Sequence, residues 1–212
     1  MSSSEPLDIK NYIGLTGDTP IRFIASDVDG TLVNDAKSVD PEVVNAVRAA
    51  RESGIRVAIA SGRAWHEMDD VIDAMPCLRY FVCTNGAYVM DKEEQKELVH
   101  ITLDKTRAVD LVRKLMTYGV FVEAYVKAEI FGQYPTVGNE TAQAEYFFRP
   151  NIRPFILKTR TMVPDLLAHL ESLPEGPEKI QIFYGDERIR VGLLRGVFSV
   201  YLFVKRVVHA EL

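Results

Sequence analysis

Between Ile21 and Cys83 the apolar positions change period repeatedly, and each change marks an element. Phe23, Ile24 and Ala25 form a short apolar run of the kind that makes a buried strand. The run stops at Asp27, Asp29 and Gly30, residues that favour a loop. Asp40-Pro41-Glu42 then opens a helix, with Asp40 as its cap residue and Pro41 at the first helical position. Val43, Val44, Val47 and Ala50 give that helix one apolar stripe, and Gly54 ends it. Arg56 to Ala60 is a second strand. Trp65, Met68, Ile72 and Met75 recur at helical spacing, and Tyr80 to Cys83 is a third strand. The alternation predicts parallel strands joined by right-handed crossovers, the signature of an α/β fold.

From Tyr88 the pattern is different. Tyr88 to Met90 and Glu97 to Thr102 read as antiparallel strands joined through the charged turn Asp91-Lys92-Glu93-Glu94. Asp104 to Tyr118 reads as a helix with Val109, Val112, Leu115 and Met116 inward. Val120 to Tyr125, Ala128 to Phe131 and Lys179 to Tyr184 read as strands, and Pro164 to Leu173 as a helix. Residues 135–154 carry no clear period, and Pro150 and Pro154 mark their end as irregular. Two helices over an antiparallel sheet make a compact α+β lobe.

The polar residues gather at the strand ends. Asp27 and Asp29 follow the first strand, Ser61-Gly62-Arg63 the second, and Thr84-Asn85-Gly86 the third. In a parallel sheet those ends share one edge, where open α/β sheets bind ligands. Two unpaired carboxylates there would repel each other, and a divalent cation with hard oxygen ligands resolves the conflict. Ser61 either caps the following helix or donates to a phosphate, and one hydroxyl can do both. Asn85-Gly86 is equally a hairpin turn.

The string Asp27-Val28-Asp29-Gly30-Thr31-Leu32 after an apolar strand resembles the nucleophile loop of haloacid dehalogenase-like phosphotransferases. Ile59-Ala60-Ser61-Gly62-Arg63 is similar to that superfamily's second motif, and Thr84-Asn85-Gly86 to a stretch typical of its Cof-type branch. The resemblance implies a Rossmann-like core over residues 21–87 and an inserted α+β cap over 88–190; residues 1–20 read as a polar leader and 191–212 as a tail that the resemblance does not place. It implies a phosphomonoester hydrolase acting on a small phosphorylated metabolite. Asp27 would be the nucleophile and Asp29 the acid and base. Thr31, Ser61, Gly62 and Asn85 would hold the phosphoryl group, with Arg63 serving the substrate or cap closure. Magnesium would sit on Asp27 and Asp29.

The resemblance runs from Ile21 to Asp186, so the core is read as incomplete. The family's later lysine and Gly-Asp loop have no counterpart after the cap pattern, as a truncated or frame-shifted reading frame would produce. Lys179 and Gly185-Asp186-Glu187 are read as parts of the cap rather than as those motifs. Two functions therefore stay open: an active hydrolase, and a catalytically incompetent remnant that binds phosphate or a partner. Val197 to Val204 is apolar and β-prone, and is expected to cover the open side of the first strand, in its own chain or in a dimer mate.

Composition adds a few exclusions. Hydrophobic residues make up 47% and charged residues 26%, as in an ordinary globular chain. A net charge of -5 with no basic stretch argues against nucleic acid and anionic membrane as partners. Residues 1–20 lack the layout of a signal peptide. Cys77 and Cys83 have neither metal spacing nor the density of a secreted scaffold, which suits reduced thiols in a cytoplasmic protein. His66, His100, His169 and His209 are scattered and read as structural or surface residues.

Overall fold

The computed structural model describes residues 21–34 and 38–196. Its first sheet contains β1 (Phe23–Ser26), β2 (Arg56–Ala60), β3 (Tyr80–Cys83), β4 (Tyr88–Asp91) and β5 (Lys96–His100), in that spatial order. β1 pairs with β2 and β2 with β3 in parallel, as the alternating pattern predicts. The crossovers carry α1 (Pro41–Glu52) and, after a 3-10 turn over Trp65–Met68, α2 (Asp69–Ala74). Val47 of α1, Met68 and Val71 pack with Ile59 and Phe81 of the sheet in one core. Asp40 precedes α1, but its carboxylate accepts from the Asn34 side chain at 2.9 Å rather than capping the helix.

β1 has the open side expected of it, but its burial differs from the reading of the apolar run. The apolar run reads as a buried strand, yet Phe23 is 54% and Ile24 38% exposed. The reason is topological: among the described residues β1 has β2 as its one neighbour and forms the sheet's edge. Val197 to Val204, the segment expected to cover it, lies outside the described residues.

The sheets also divide later than the sequence pattern suggests. β4 and β5 are antiparallel, as read, but they extend the first sheet instead of starting the second. Thr84–Gly86 forms the β3–β4 turn, so the hairpin reading of Asn85-Gly86 and its placement at the strand edge both hold.

The second layer begins with α3 (Lys105–Met116), whose first turn is capped by Asp104 accepting the Arg107 N–H at 2.9 Å. Its sheet contains β6 (Phe121–Val126), β7 (Glu129–Gln133), β8 (Thr161–Met162) and β9 (Lys179–Phe183), in the order β8-β7-β6-β9. The segment read as irregular holds α4 (Glu140–Phe147) and α5 (Arg153–Thr159). Pro154 lies in the first turn of α5, where a missing N–H costs nothing. α6 (Leu166–Ser172) packs Leu166 and Leu170 with Val109, Val112 and Leu115 of α3. A last helix, α7 (Glu187–Gly196), begins where the Asp186 carboxylate accepts the Arg188 N–H at 2.8 Å. Leu193 of α7 is buried in the second-layer core, so residues 191–196, read as the start of a tail, belong to this layer. Among the described residues, no helix is long and apolar enough to cross a membrane.

Both cysteines are free thiols, Cys83 buried and Cys77 half-buried. Burial pushes the Cys83 thiol up to about 12. Its folded value lies above the unfolded one, so its stabilising contribution is complete below the ordinary cysteine value and is lost as the pH rises towards 12. A thiol reagent under native, mildly alkaline conditions is expected to label Cys77 and spare Cys83 until the chain unfolds. Equal labelling of the two before unfolding would contradict this.

Candidate active site

Parallel pairing of β1, β2 and β3 brings their carboxyl ends to one edge. Beyond β1 the chain turns tightly about Val28, which is fully buried. The Val28 carbonyl accepts the N–H groups of Thr31, Leu32 and Val33 at 3.3, 3.0 and 3.1 Å. With Val28 anchored inward, Asp27, Asp29 and Thr31 are left exposed around it. Gly30 has φ of 78°, a left-handed conformation that a Cβ would strain. Asp27 Oδ1 accepts the Val28 N–H at 2.8 Å.

Beyond β2, Ser61 is buried and its N–H donates to the Val82 carbonyl at 2.8 Å. Its Oγ accepts the Arg63 N–H at 3.2 Å. The Asn85 N–H donates to the Ser61 carbonyl at 3.0 Å, and the Thr84 N–H to the Arg63 carbonyl at 2.9 Å. Asn85 is held left-handed, at φ 57° and ψ 30°. Gly62 faces its side chain so closely that a Cβ there would lie 2.9 Å from Asn85 Oδ1. Gly62→Ala is therefore expected to cost about 1–3 kcal/mol through overpacking at this seam. An unchanged urea midpoint would mean that Asn85 gives way freely.

Arg63 ties the two loops together. Its Nε donates to Asp29 Oδ2 at 2.9 Å and its Nη2 to Oδ1 at 2.7 Å, a bidentate pair. Nη1 donates to the Glu67 carbonyl at 3.0 Å, and the guanidinium lies 5.2 Å from the Phe155 ring centroid. Burial works against its charge, but the Asp29 carboxylate, with Asp70 and Glu67, outweighs that and raises its pKa.

The site residues read from sequence are thus placed as follows. Ser61, Gly62, Arg63 and Asn85 touch one another, and Arg63 carries Asp29 into the group. Asp27 and Thr31 share the Asp29 loop through the backbone about Val28. Asp29 differs from expectation in one respect: Arg63 supplies it with a counter-charge of its own. Among the described residues, no three acidic, histidine or cysteine side chains gather closely enough to hold a metal ion. Asp27 and the Asp29 main chain are hard oxygen donors of the kind magnesium takes, but alone they do not make up its shell.

Sequence reading missed the charges between the layers: Glu67, Glu123 and Arg160 are all buried. A lone acid inside the apolar strand Val120-Phe121-Val122-Glu123-Ala124 was the available signal. A cavity of about 330 Å³ opens between the layers, lined by His66, Asp70, Glu129, Phe155 and Lys158 among others. Asp27 and Asp29 are not in its wall; it stands behind Arg63, whose Nη1 lies 3.9 Å from Asp70.

The family model for haloacid dehalogenase-like hydrolases matches residues 24–182, which takes in every strand end described above. The chain belongs to that family. The chain is 31% identical over 125 residues to the phosphatase YwpJ of Bacillus subtilis, a match covering 59% of this chain and 43% of that protein. It is 28% identical over 115 residues to the pyridoxal phosphate phosphatase YbhA of Escherichia coli, covering 54% and 42%. Among solved structures it resembles a subclass IIB sugar phosphatase of the superfamily, with a TM-score of 0.62 and 16% identity, covering 83% of this chain and 63% of the other. The matched stretch spans less than half of either curated phosphatase.

Proposed function

We propose that the chain is a phosphomonoester hydrolase that works on a small phosphorylated metabolite through an aspartyl-phosphate on Asp27. The observation that carries this reading is the meeting of three strand ends on one edge. An exposed Asp27 shares that edge with the Ser61–Gly62–Asn85 seam, whose hydroxyl and side-chain amide are donors. Relatives named as phosphatases support the reaction class. The second layer, from Asp104 onward, is read as the cap that excludes water and selects the substrate.

In the first step an Asp27 oxygen attacks phosphorus, a P–O bond to Asp27 forms and the bond to the leaving alcohol breaks. Thr31, Ser61 and Asn85 hold the phosphoryl oxygens. In the second step water attacks the same phosphorus, Asp29 takes its proton, and Asp27 leaves as a carboxylate. Asp29 also has to give a proton to the leaving alcohol in the first step. Arg63 donates one N–H to each of its oxygens, which leaves a lone pair on each to carry that proton. Arg63 thereby orients Asp29 for the transfer.

Magnesium, held by the Asp27 carboxylate and the Asp29 backbone carbonyl, would supply positive charge beside the phosphoryl oxygens. Two protein donors are few for an octahedral shell, so calorimetry is expected to give weak binding. Micromolar or tighter magnesium binding would show a further acid at the site. The sparse metal set among the described residues is also what favours a second reading, a phosphate-binding protein without turnover. Hydrolysis of a generic aryl phosphate, with and without magnesium, separates the two. Turnover above background supports the hydrolase, and phosphate binding without turnover supports the alternative.

A further inference from the structure

The segment Ser61–Glu67, which carries the site's hydroxyl and its guanidinium, is gripped from the second layer at separated points. Lys179 of β9 donates from Nζ to the Gly62 carbonyl at 2.9 Å. The same ammonium lies 3.6 Å from the centroid of the Tyr125 ring on β6. Arg160 donates to Glu67 Oε1 at 2.6 Å and to Glu123 Oε1 at 2.8 Å. The other Glu67 oxygen accepts the Ala64 N–H at 2.7 Å. The His66 N–H donates to the Ala128 carbonyl in the β6–β7 turn at 3.3 Å.

One peptide plane makes the lysine contact consequential. The Gly62 carbonyl and the Arg63 N–H belong to the same rigid amide, so fixing one fixes the other. That N–H is the group holding Ser61 Oγ, at 3.2 Å. Gly62 has no side chain to pin this amide, and glycine turns more freely than any other residue. Lys179 is mostly buried, an arrangement that costs free energy unless the ammonium has partners. Its hydrogen bond is spent on this one carbonyl.

The geometry points to Lys179 as a positioning residue that fixes the Gly62–Arg63 amide, and through it the Ser61 hydroxyl and the Arg63 guanidinium, against the Asp27–Thr31 loop. The role rests on reading Ser61–Arg63 as the phosphate seat, whereas the clamp itself does not. Burial brings its pKa down to about 8, Glu67 and Glu123 favour the charged ammonium and Arg160 opposes it. Tyr125, raised well above its ordinary value by burial, stays neutral beside it. With the seam open, Lys179 returns to water and to its ordinary value. The shut seam therefore binds this proton less tightly, and raising the pH through about 8 favours the shut state.

Trp65, the chain's single tryptophan, lies inside the gripped segment, 5.0 Å from the Phe81 ring, and reports on it directly. Acrylamide quenching of Trp65 in the full chain is expected to rise about twofold in Lys179→Met and to stay near the parent value in Lys179→Gln, which still donates. In the parent, quenching is expected to fall as the pH passes 8. Tungstate, a tetrahedral dianion across this range, is expected to bind roughly tenfold more weakly to Lys179→Met by calorimetry. Unchanged quenching in Lys179→Met overturns the clamp. Should that variant not fold, hydrogen exchange in the parent decides it: an Arg63 amide that exchanges as fast as an exposed loop amide overturns the clamp. Equal tungstate affinity in parent and variant overturns the positioning role. Loosened quenching with no tungstate binding by the parent leaves the clamp standing and removes the phosphate reading.

Discussion

Asp27→Asn is expected to reduce aryl phosphate hydrolysis to background, a loss on the order of a thousandfold or more, while the chain stays folded. Asparagine is nearly isosteric but carries no oxygen able to form the acyl phosphate. The packing role of the side chain survives the change. Asp27 Oδ1 accepts the Val28 N–H at 2.8 Å, and the amide oxygen of asparagine accepts equally well. Val28 itself, which anchors the loop, is untouched. Removing a negative charge beside Asp29 also relieves repulsion, so the melting temperature should hold or rise. Turnover by the variant equal to the parent's would place the chemistry elsewhere.

Arg160→Met is expected to have the largest effect on stability. Arg160 bridges Glu67 and Glu123 across the seam, and Glu123 has no exposed surface at all. Without the guanidinium, Glu123 keeps the Tyr125 hydroxyl, at 3.3 Å, as its remaining donor among the described residues. Breaking a buried ion pair on one side costs about 3–5 kcal/mol, because the surviving charge is left without compensation. For a chain of this size that lowers the melting temperature by roughly 10 °C. Burial already raises the Glu123 pKa, with Arg160 opposing that rise, so losing Arg160 raises it further. A carboxyl raised in the folded state contributes stability at low pH that is lost as the pH climbs through its folded value. The deficit of the variant should therefore shrink on acidification, and the added change Glu123→Gln should restore part of it. A variant melting within a degree or two of the parent would mean that water or rearrangement satisfies Glu123.

The elements built on short-range pattern were legible in the residues. Asp40-Pro41 announces α1, Asp104 announces α3, and the alternation up to Cys83 implies the parallel β1–β2–β3 edge. Asp27, Ser61 and Asn85 could be assigned to that edge because turn-forming residues after apolar runs mark strand ends. α4 leaves no period in the sequence because its apolar residues form no single stripe, and α5 is hidden because Pro154 reads as a breaker although it stands in a first turn.

What the sequence by itself determined is therefore the type of fold, the edge on which the polar residues gather and which residues arrive there. The tertiary structure alone decided how those residues are charged and held. β1 could be recognised as a strand, but whether it is buried depends on its neighbours, and those lie far away along the chain. Arg63 is two residues from Ser61, yet its guanidinium belongs to Asp29, 34 positions earlier. Lys179 reaches Gly62 across 117 positions. Local pattern records which face of an element is apolar, since each turn or pleat repeats that demand. A long-range ion pair or a single main-chain contact is made once, leaves no period, and exists only when packing brings its two ends together.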